Sequence, residues 1–154
     1  MKTWFTHVIF LIINFGGLAI GGLYTGKGVP STWYQQLAKA PWTPPGWVFG
    51  VAWFIIMICF SIYLGKLWMA HTNRTPLIGW IALAWLLNVA WNPVFFGAHF
   101  VLPGLLILLA LLLVIGHLGY QYFSILKGFT YLLTPYVLWL CIALSLNAYI
   151  ALNN

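Results

Sequence analysis

Apolar positions in this chain fall into five long stretches, at residues 5–24, 47–67, 77–96, 101–122 and 129–152. Each is about 20 residues, the length a helix needs to cross the hydrocarbon of a bilayer. Only the first connection is long, at residues 25–46. The others, at 68–76, 97–100 and 123–128, are short. Short connections make sequential helices antiparallel neighbours. The pattern predicts an all-α bundle of five transmembrane helices with a structured first loop, one membrane domain over residues 1–154, and termini on opposite faces. The N-terminal run MKTWFTHVIFLIINF has the charge and small residues (Lys2, Ala19, Gly21) of a signal peptide. Its apolar character continues to Tyr24, so we read it as an uncleaved first span.

Polar residues inside the stretches sort onto helical faces. In the third, Trp85, Asn88, Asn92 and Phe95 share a face, as do Tyr136, Trp139, Ala143 and Asn147 in the fifth. His7, Asn14, Gly17 and Gly21 form a stripe in the first, and Trp53, Met57 and Ser61 in the second. An asparagine facing lipid is costly, so these faces are expected to point into the bundle. Asparagines there serve as glue between helices, and Gly17-xxx-Gly21 as a close-packing motif. Indoles beside amides on separate helices also suit a wall for a flat aromatic ligand. Trp4, Trp68 and Trp80 lie near span ends and read as interfacial anchors. Trp33, Trp42 and Trp47 are read as belt residues, with Trp42 set apart by the adjoining Thr43-Pro44-Pro45 turn.

Composition supports a bilayer as the solvent: 64% of the 154 residues are hydrophobic and 4% are charged. There is no Asp or Glu. That excludes paired-carboxylate catalysis, Ser-His-Asp triads, carboxylate proton relays and carboxylate calcium sites. His7, His71, His99 and His117 show no metal-ligand spacing, so no metal site is expected. Cys59 and Cys141 lie deep in apolar runs and imply no disulfide framework. The six cations are scattered among the loops and form no basic face, so nucleic acid is not an expected partner; membrane lipid is.

Residues 33–53, WYQQLAKAPWTPPGWVFGVAW, hold four tryptophans and three prolines. Pro44 and Pro45 cannot sit inside a helix but can open one. The segment reads as an aromatic loop at membrane level feeding the second span. With NVAWNPVFFGAH at 88–99 and PYVLWLCIALSLNAYI at 135–150, in this order, it resembles the TspO/translocator protein family, also called tryptophan-rich sensory proteins or peripheral benzodiazepine receptors, in its bacterial form. The resemblance covers nearly the whole chain, and its W-T-P-P block is highly specific.

The resemblance implies a five-helix bundle, a homodimer, and a pocket closed by the first loop. Implied ligands are porphyrins (protoporphyrin IX, haem) and sterol-like molecules, with no cofactor required. Carried over by motif, the ligand-binding residues are Tyr34, Pro44, Phe49, Trp53, Asn88, Asn92, Phe95, Trp139 and Ala143. Trp53 and Trp139 match the tryptophans linked to light-dependent porphyrin breakdown in some bacterial members, and would be the catalytic pair of an enzyme. Two departures stand out. Ala40 interrupts the Lys-Pro pair common in the family, and Tyr149 has no basic residue after it, as the cholesterol motif of animal members requires. The expected function is a receptor- or transporter-like membrane protein for porphyrins. The alternatives are a light- and O2-dependent porphyrin-degrading enzyme and a structural membrane subunit whose indoles only pack.

Lys2, Lys66, Arg74 and Lys127 fall on one side of the expected bundle and Lys27 and Lys39 on the other. The positive-inside rule then puts the N-terminus in the cytoplasm of a bacterial cell. In a background lacking Cys59 and Cys141, we expect an impermeant thiol reagent on intact cells to label Gln36→Cys and spare Thr72→Cys. The reverse labelling would invert the orientation.

Overall fold

The computed structural model describes residues 3–154, so Met1 and Lys2, including the charge counted above, lie outside the described residues. Five helices are long and apolar enough to span a membrane. They are α1 (Thr3–Gly28), α3 (Gly46–Ala70), α4 (Arg74–Asn92), α5 (Val101–Gln121) and α7 (Thr134–Asn153). Two short helices, α2 (Thr32–Gln36) and α6 (Phe123–Leu126), lie in the first and last connections.

Prolines and chain reversals set the helix limits. Pro45 stands in extended conformation just before α3, and its carbonyl accepts the first helical bond from the Val48 amide at 3.0 Å. The two prolines therefore do open the second span. Pro93 lacks an N–H and its ring crowds the carbonyl four residues back, so the α-helix cannot pass through it unchanged. The chain widens instead into a π turn, Pro93–Gly97, closed by the Ala98 amide on the Pro93 carbonyl at 2.8 Å. Most boundaries shift by a few residues from the sequence pattern, and two of the shifts have a bearing on the loops. The first span runs on to Gly28, past the expected end at 24. The fifth begins its α-helix at Thr134 instead of 129, because residues Lys127–Leu133 form a 3-10 segment and Pro135 is suited to the first turn of α7.

The five long helices close a ring. α1 packs on α3 and α4, α4 on α5, and α5 on α7; α7 and the 3-10 segment before it return to α3. Tyr63, Leu64, Leu67, Leu77, Leu111, Ile115 and Leu118 fill the end of the ring near Arg74 and are buried. Ile12, Leu23, Leu86, Leu113 and Leu138 point outward and are exposed, as lipid-facing residues must be. The cysteines follow suit: Cys59 is half-buried, Cys141 is exposed, and they do not pair.

Polar bonds join neighbouring helices within this apolar frame. Asn14 donates to the Ser61 hydroxyl at 2.8 Å, the Tyr63 hydroxyl to the Leu118 carbonyl at 2.8 Å, and Trp85 Nε1 to the Ile13 carbonyl at 3.0 Å. Such bonds in membranes average about 0.6 kcal/mol, so packing must supply the rest. α1 also packs closely on α4. A Cβ at Gly17 would lie 2.7 Å from the Trp85 indole nitrogen, and one at Gly21 would lie 2.5 Å from the Asn92 amide. Gly22, on the outer side, has open space around it. We expect Gly21→Ala to destabilise the bundle by about 1–3 kcal/mol through overpacking. Gly22→Ala should be neutral or stabilise it by up to about 1 kcal/mol through helix propensity. Thermal unfolding in detergent checks both.

Candidate ligand-binding site

Tyr136 of α7 is the hub of the ring interior. It is 1% exposed, and its hydroxyl accepts from Asn88 Nδ2 on α4. Its ring meets Trp53 edge-on at 5.9 Å and Phe60 at 5.3 Å, both on α3. One turn further along α7, Trp139 meets Phe49 edge-on at 5.1 Å. Another turn on, Ala143 packs against the same cluster. Phe49, Trp53, Asn88, Trp139 and Ala143 thus converge on one aromatic seam where α3, α4 and α7 face each other. Spacing explains it: Phe49 and Trp53, like Trp139 and Ala143, are i, i+4 pairs on one helical face.

The seam is closed. The void beside Asn88 and Tyr136, also lined by Asn14, Gly17 and Phe60, measures about 10 Å³. That is about the room one water needs.

Over the seam's end lies the first loop. Ser31 caps α2, its hydroxyl accepting from the Tyr34 amide at 3.3 Å. Trp33 stacks flat on His99, with centroids 4.1 Å apart and planes at 10°. It also meets Phe95 edge-on at 5.5 Å. Tyr34 rests on Phe96 at 5.4 Å, and Lys39 Nζ lies 4.8 Å over its ring. Burial pushes the Tyr34 hydroxyl above its ordinary pKa. The far end of the loop is tied to α7. Asn154 accepts from the Ala38 amide at 2.8 Å and donates to the Ala38 carbonyl at 3.3 Å. Trp42 Nε1 donates to Ser145 at 3.1 Å, and its ring meets Tyr149 at 5.5 Å. Thr43 turns back onto the Ala40 carbonyl at 2.6 Å, immediately before half-buried Pro44. Ala40, one of the two family departures, is buried.

The remaining site residues lie apart from the seam. Tyr34 and Phe95 belong to a second cluster beneath the loop, with Trp33, Leu37, Trp91, Phe96 and Ile150. Asn92 faces α1. Its Oδ1 accepts from Thr25 at 2.7 Å and its Nδ2 reaches the Asn88 carbonyl at 3.4 Å, so its amide ties helices together. The face of Trp85, Asn88, Asn92 and Phe95 thus divides among three partners. These positions spread over about 80° of an ideal helix. α1 takes the Trp85 and Asn92 side and α7 takes Asn88, while the π turn re-aims Phe95.

Tyr136 is the central residue that motif-based selection passed over, although it lies on the fifth-span stripe. Trp33, expected as a belt residue, makes a loop-to-bundle contact, and its stack on His99 left no mark in local spacing. Trp91 stacks on Phe95 at 5.4 Å and 11°. With the Asn147 amide turned to satisfy its neighbours, that side chain accepts from Trp91 Nε1 at 3.3 Å and donates to the Val101 carbonyl at 3.1 Å. Among the expected anchors, Trp4 and Trp47 are exposed. Trp80 lies 4.2 Å from the His117 ring and Trp68 packs on Phe10 at 6.0 Å, so both brace helices. Among the described residues no cluster of His, Cys, Asp or Glu could hold a metal.

The TspO/MBR family model matches residues 8–152. The chain belongs to that family. It is 35% identical over 124 residues to protein CrtK of Rhodobacter capsulatus, covering 77% of this chain and 76% of that one. It is 32% identical over 134 residues to the tryptophan-rich protein TspO of Chlorobaculum tepidum, covering 82% of each. The bovine translocator protein is 29% identical over 152 residues, or 94% of this chain and 87% of its own. The protein is therefore an integral membrane member of the TspO/MBR family, with five apolar helices.

The ties at Asn154 and Trp42 have a direct consequence. Each neutral hydrogen bond contributes about 1 kcal/mol, so removing one should raise the population of the opened loop about fivefold. We expect Trp42→Phe to speed amide exchange in residues 29–45 by about that factor, and Asn154→Ala, which removes two loop bonds, by more, leaving α3 and α7 unchanged.

Proposed function

We propose that this protein binds porphyrins such as protoporphyrin IX or haem, or related flat hydrophobic molecules, between the aromatic seam and the first loop. A sensory or tetrapyrrole-handling role would follow. One observation carries the reading: Trp53 and the Asn88 amide meet on Tyr136, and one turn along α7 Trp139 meets Phe49, beneath a loop tethered by separable polar bonds. Packing alone is served by leucine, which dominates α5. A seam of aromatic edges with a few amides offers stacking surfaces and hydrogen bonds to a planar ligand.

The closed interior makes this a gated site. A porphyrin is far larger than the void beside Tyr136, so binding would lift the loop and part Phe49 from Trp139 and Trp53 from Tyr136. Part of the gross affinity would be spent on that opening, lowering the apparent affinity by the fraction of open molecules. Asn88 would then exchange its tyrosine partner for a ligand acceptor. Asn92 would keep its tie to Thr25. The loop would lie on the face away from the cytoplasm, following the charge count.

Trp53 and Trp139 also support the degradative reading, since both indoles would flank a ligand in the seam. An excited porphyrin with O2 can oxidise an indole, and phenylalanine is far harder to oxidise. Titration of purified protein with protoporphyrin IX, in dark and light, tests both readings. We expect quenching of tryptophan emission in the dark. Trp53→Phe and Trp139→Phe should keep dark affinity within about tenfold. Any light-dependent absorbance change should fall much further in these variants. An absence of quenching would leave a structural subunit, and quenching without a spectral product would leave a binder only.

A further inference from the structure

The outer surface between α5 and α7 carries a groove of about 620 Å³. It lies at the end of the bundle away from the loop, between the last turns of α5 and the first turns of α7. It shares no lining residue with the seam around Tyr136. Its rim residues Tyr120, Tyr131 and Leu138 are exposed, so it opens sideways toward the membrane.

Three features define what it would hold. Gly116 lines it and is exposed, and a Cβ there would meet nothing within 4 Å, so the groove floor is open at that point of the α5 wall. Thr130 also lines it, and its hydroxyl oxygen is shielded yet has no hydrogen-bond partner among the described residues. Lys127 sits in the segment that joins the two walls, exposed and in the left-handed region at φ 47°. Lys66 covers the Phe129 ring and Arg74 the Trp68 ring, but among the described residues Lys127 makes no such contact and donates no hydrogen bond. The chain has no carboxylate side chain to neutralise it.

A bilayer will not leave such a groove empty, and most of its lining is apolar, with hydroxyls from Tyr120, Ser124, Thr130, Tyr131 and Thr134 among it. An acyl chain fits its apolar length. The unpaired hydroxyl and the unpaired ammonium at one end call for an acceptor-rich anion at the headgroup level, where basic residues attract acidic lipid. We propose that the groove binds one anionic phospholipid. Its chain lies along Gly116 and Leu138, and its phosphate is held by Lys127 with the Thr130 hydroxyl donating.

The test is native mass spectrometry of the purified protein after incubation with equal amounts of phosphatidylglycerol and phosphatidylcholine. We expect one retained phosphatidylglycerol per chain, favoured over phosphatidylcholine about fivefold, the factor one basic residue near acidic lipid supplies. Lys127→Gly removes the charge at a backbone conformation glycine prefers, so it should fold and erase the preference. Lys127→Arg should restore it. Gly116→Phe fills the open floor and should abolish the retained lipid of either kind while leaving protoporphyrin IX quenching unchanged. Equal retention of both lipids by the parent would overturn the proposal. So would a preference that survives both Lys127→Gly and Gly116→Phe. Loss of a protein dimer in Gly116→Phe, without loss of lipid, would assign the groove to a second copy and overturn it too.

Discussion

Polar groups placed in hydrocarbon need partners inside the protein, and the asparagines of this bundle find theirs without a single acidic side chain. Amides, hydroxyls and indole N–H groups do the work that ion pairs do elsewhere. Asn14 meets Ser61, Asn92 meets Thr25, and Asn88 meets Tyr136. Asn147 meets Trp91 and the Val101 carbonyl. Each bond joins two different elements of the ring, and together they set how the helices are rotated about their axes. The apolar contacts fill the space this leaves. A leucine in place of any of these asparagines would keep the hydrophobicity and lose the rotational setting.

The same economy shapes the interior. A seam held by one amide–phenol bond and several edge-on aromatic contacts is tight, but each contact is individually modest. The loop above it is fastened at its far end by neutral hydrogen bonds to α7 and at its near end by the Trp33–His99 stack. No ion pair or disulfide locks it among the described residues. Such a loop can lift without breaking any one expensive interaction, which is the behaviour the proposed function asks of it.

The five spans, the antiparallel order and the inward polar faces were legible because hydrophobic length and helical period carry that information directly. The opening of α3 by Pro44 and Pro45 was legible for the same local reason. Ring closure was not, because the packing of α1 against both α3 and α4 depends on shape, signalled only by Gly17 and Gly21. Asn88 and Asn92 look equivalent in sequence, four residues apart on one face. Which of them meets the seam is decided by what stands opposite, Tyr136 for one and Thr25 for the other. The role of Trp33 depends on His99, 66 positions away, held at φ 60°. No periodicity encodes such a pair.

The π turn at Pro93–Gly97 separates two bodies of structure that need different orientations. Below it, α4 presents Trp85, Asn88 and Asn92 to the helices; within it, Phe95 and Phe96 form the bed on which the loop lies. A wide turn holds one more residue than an ordinary one, so it acts as a spacer between membrane part and bed. A relative one residue shorter here would close a standard turn and swing its bed by about 100°. Chain length between Asn92 and His99 is thus the adjustable joint of this architecture, more than the identity of any residue within it.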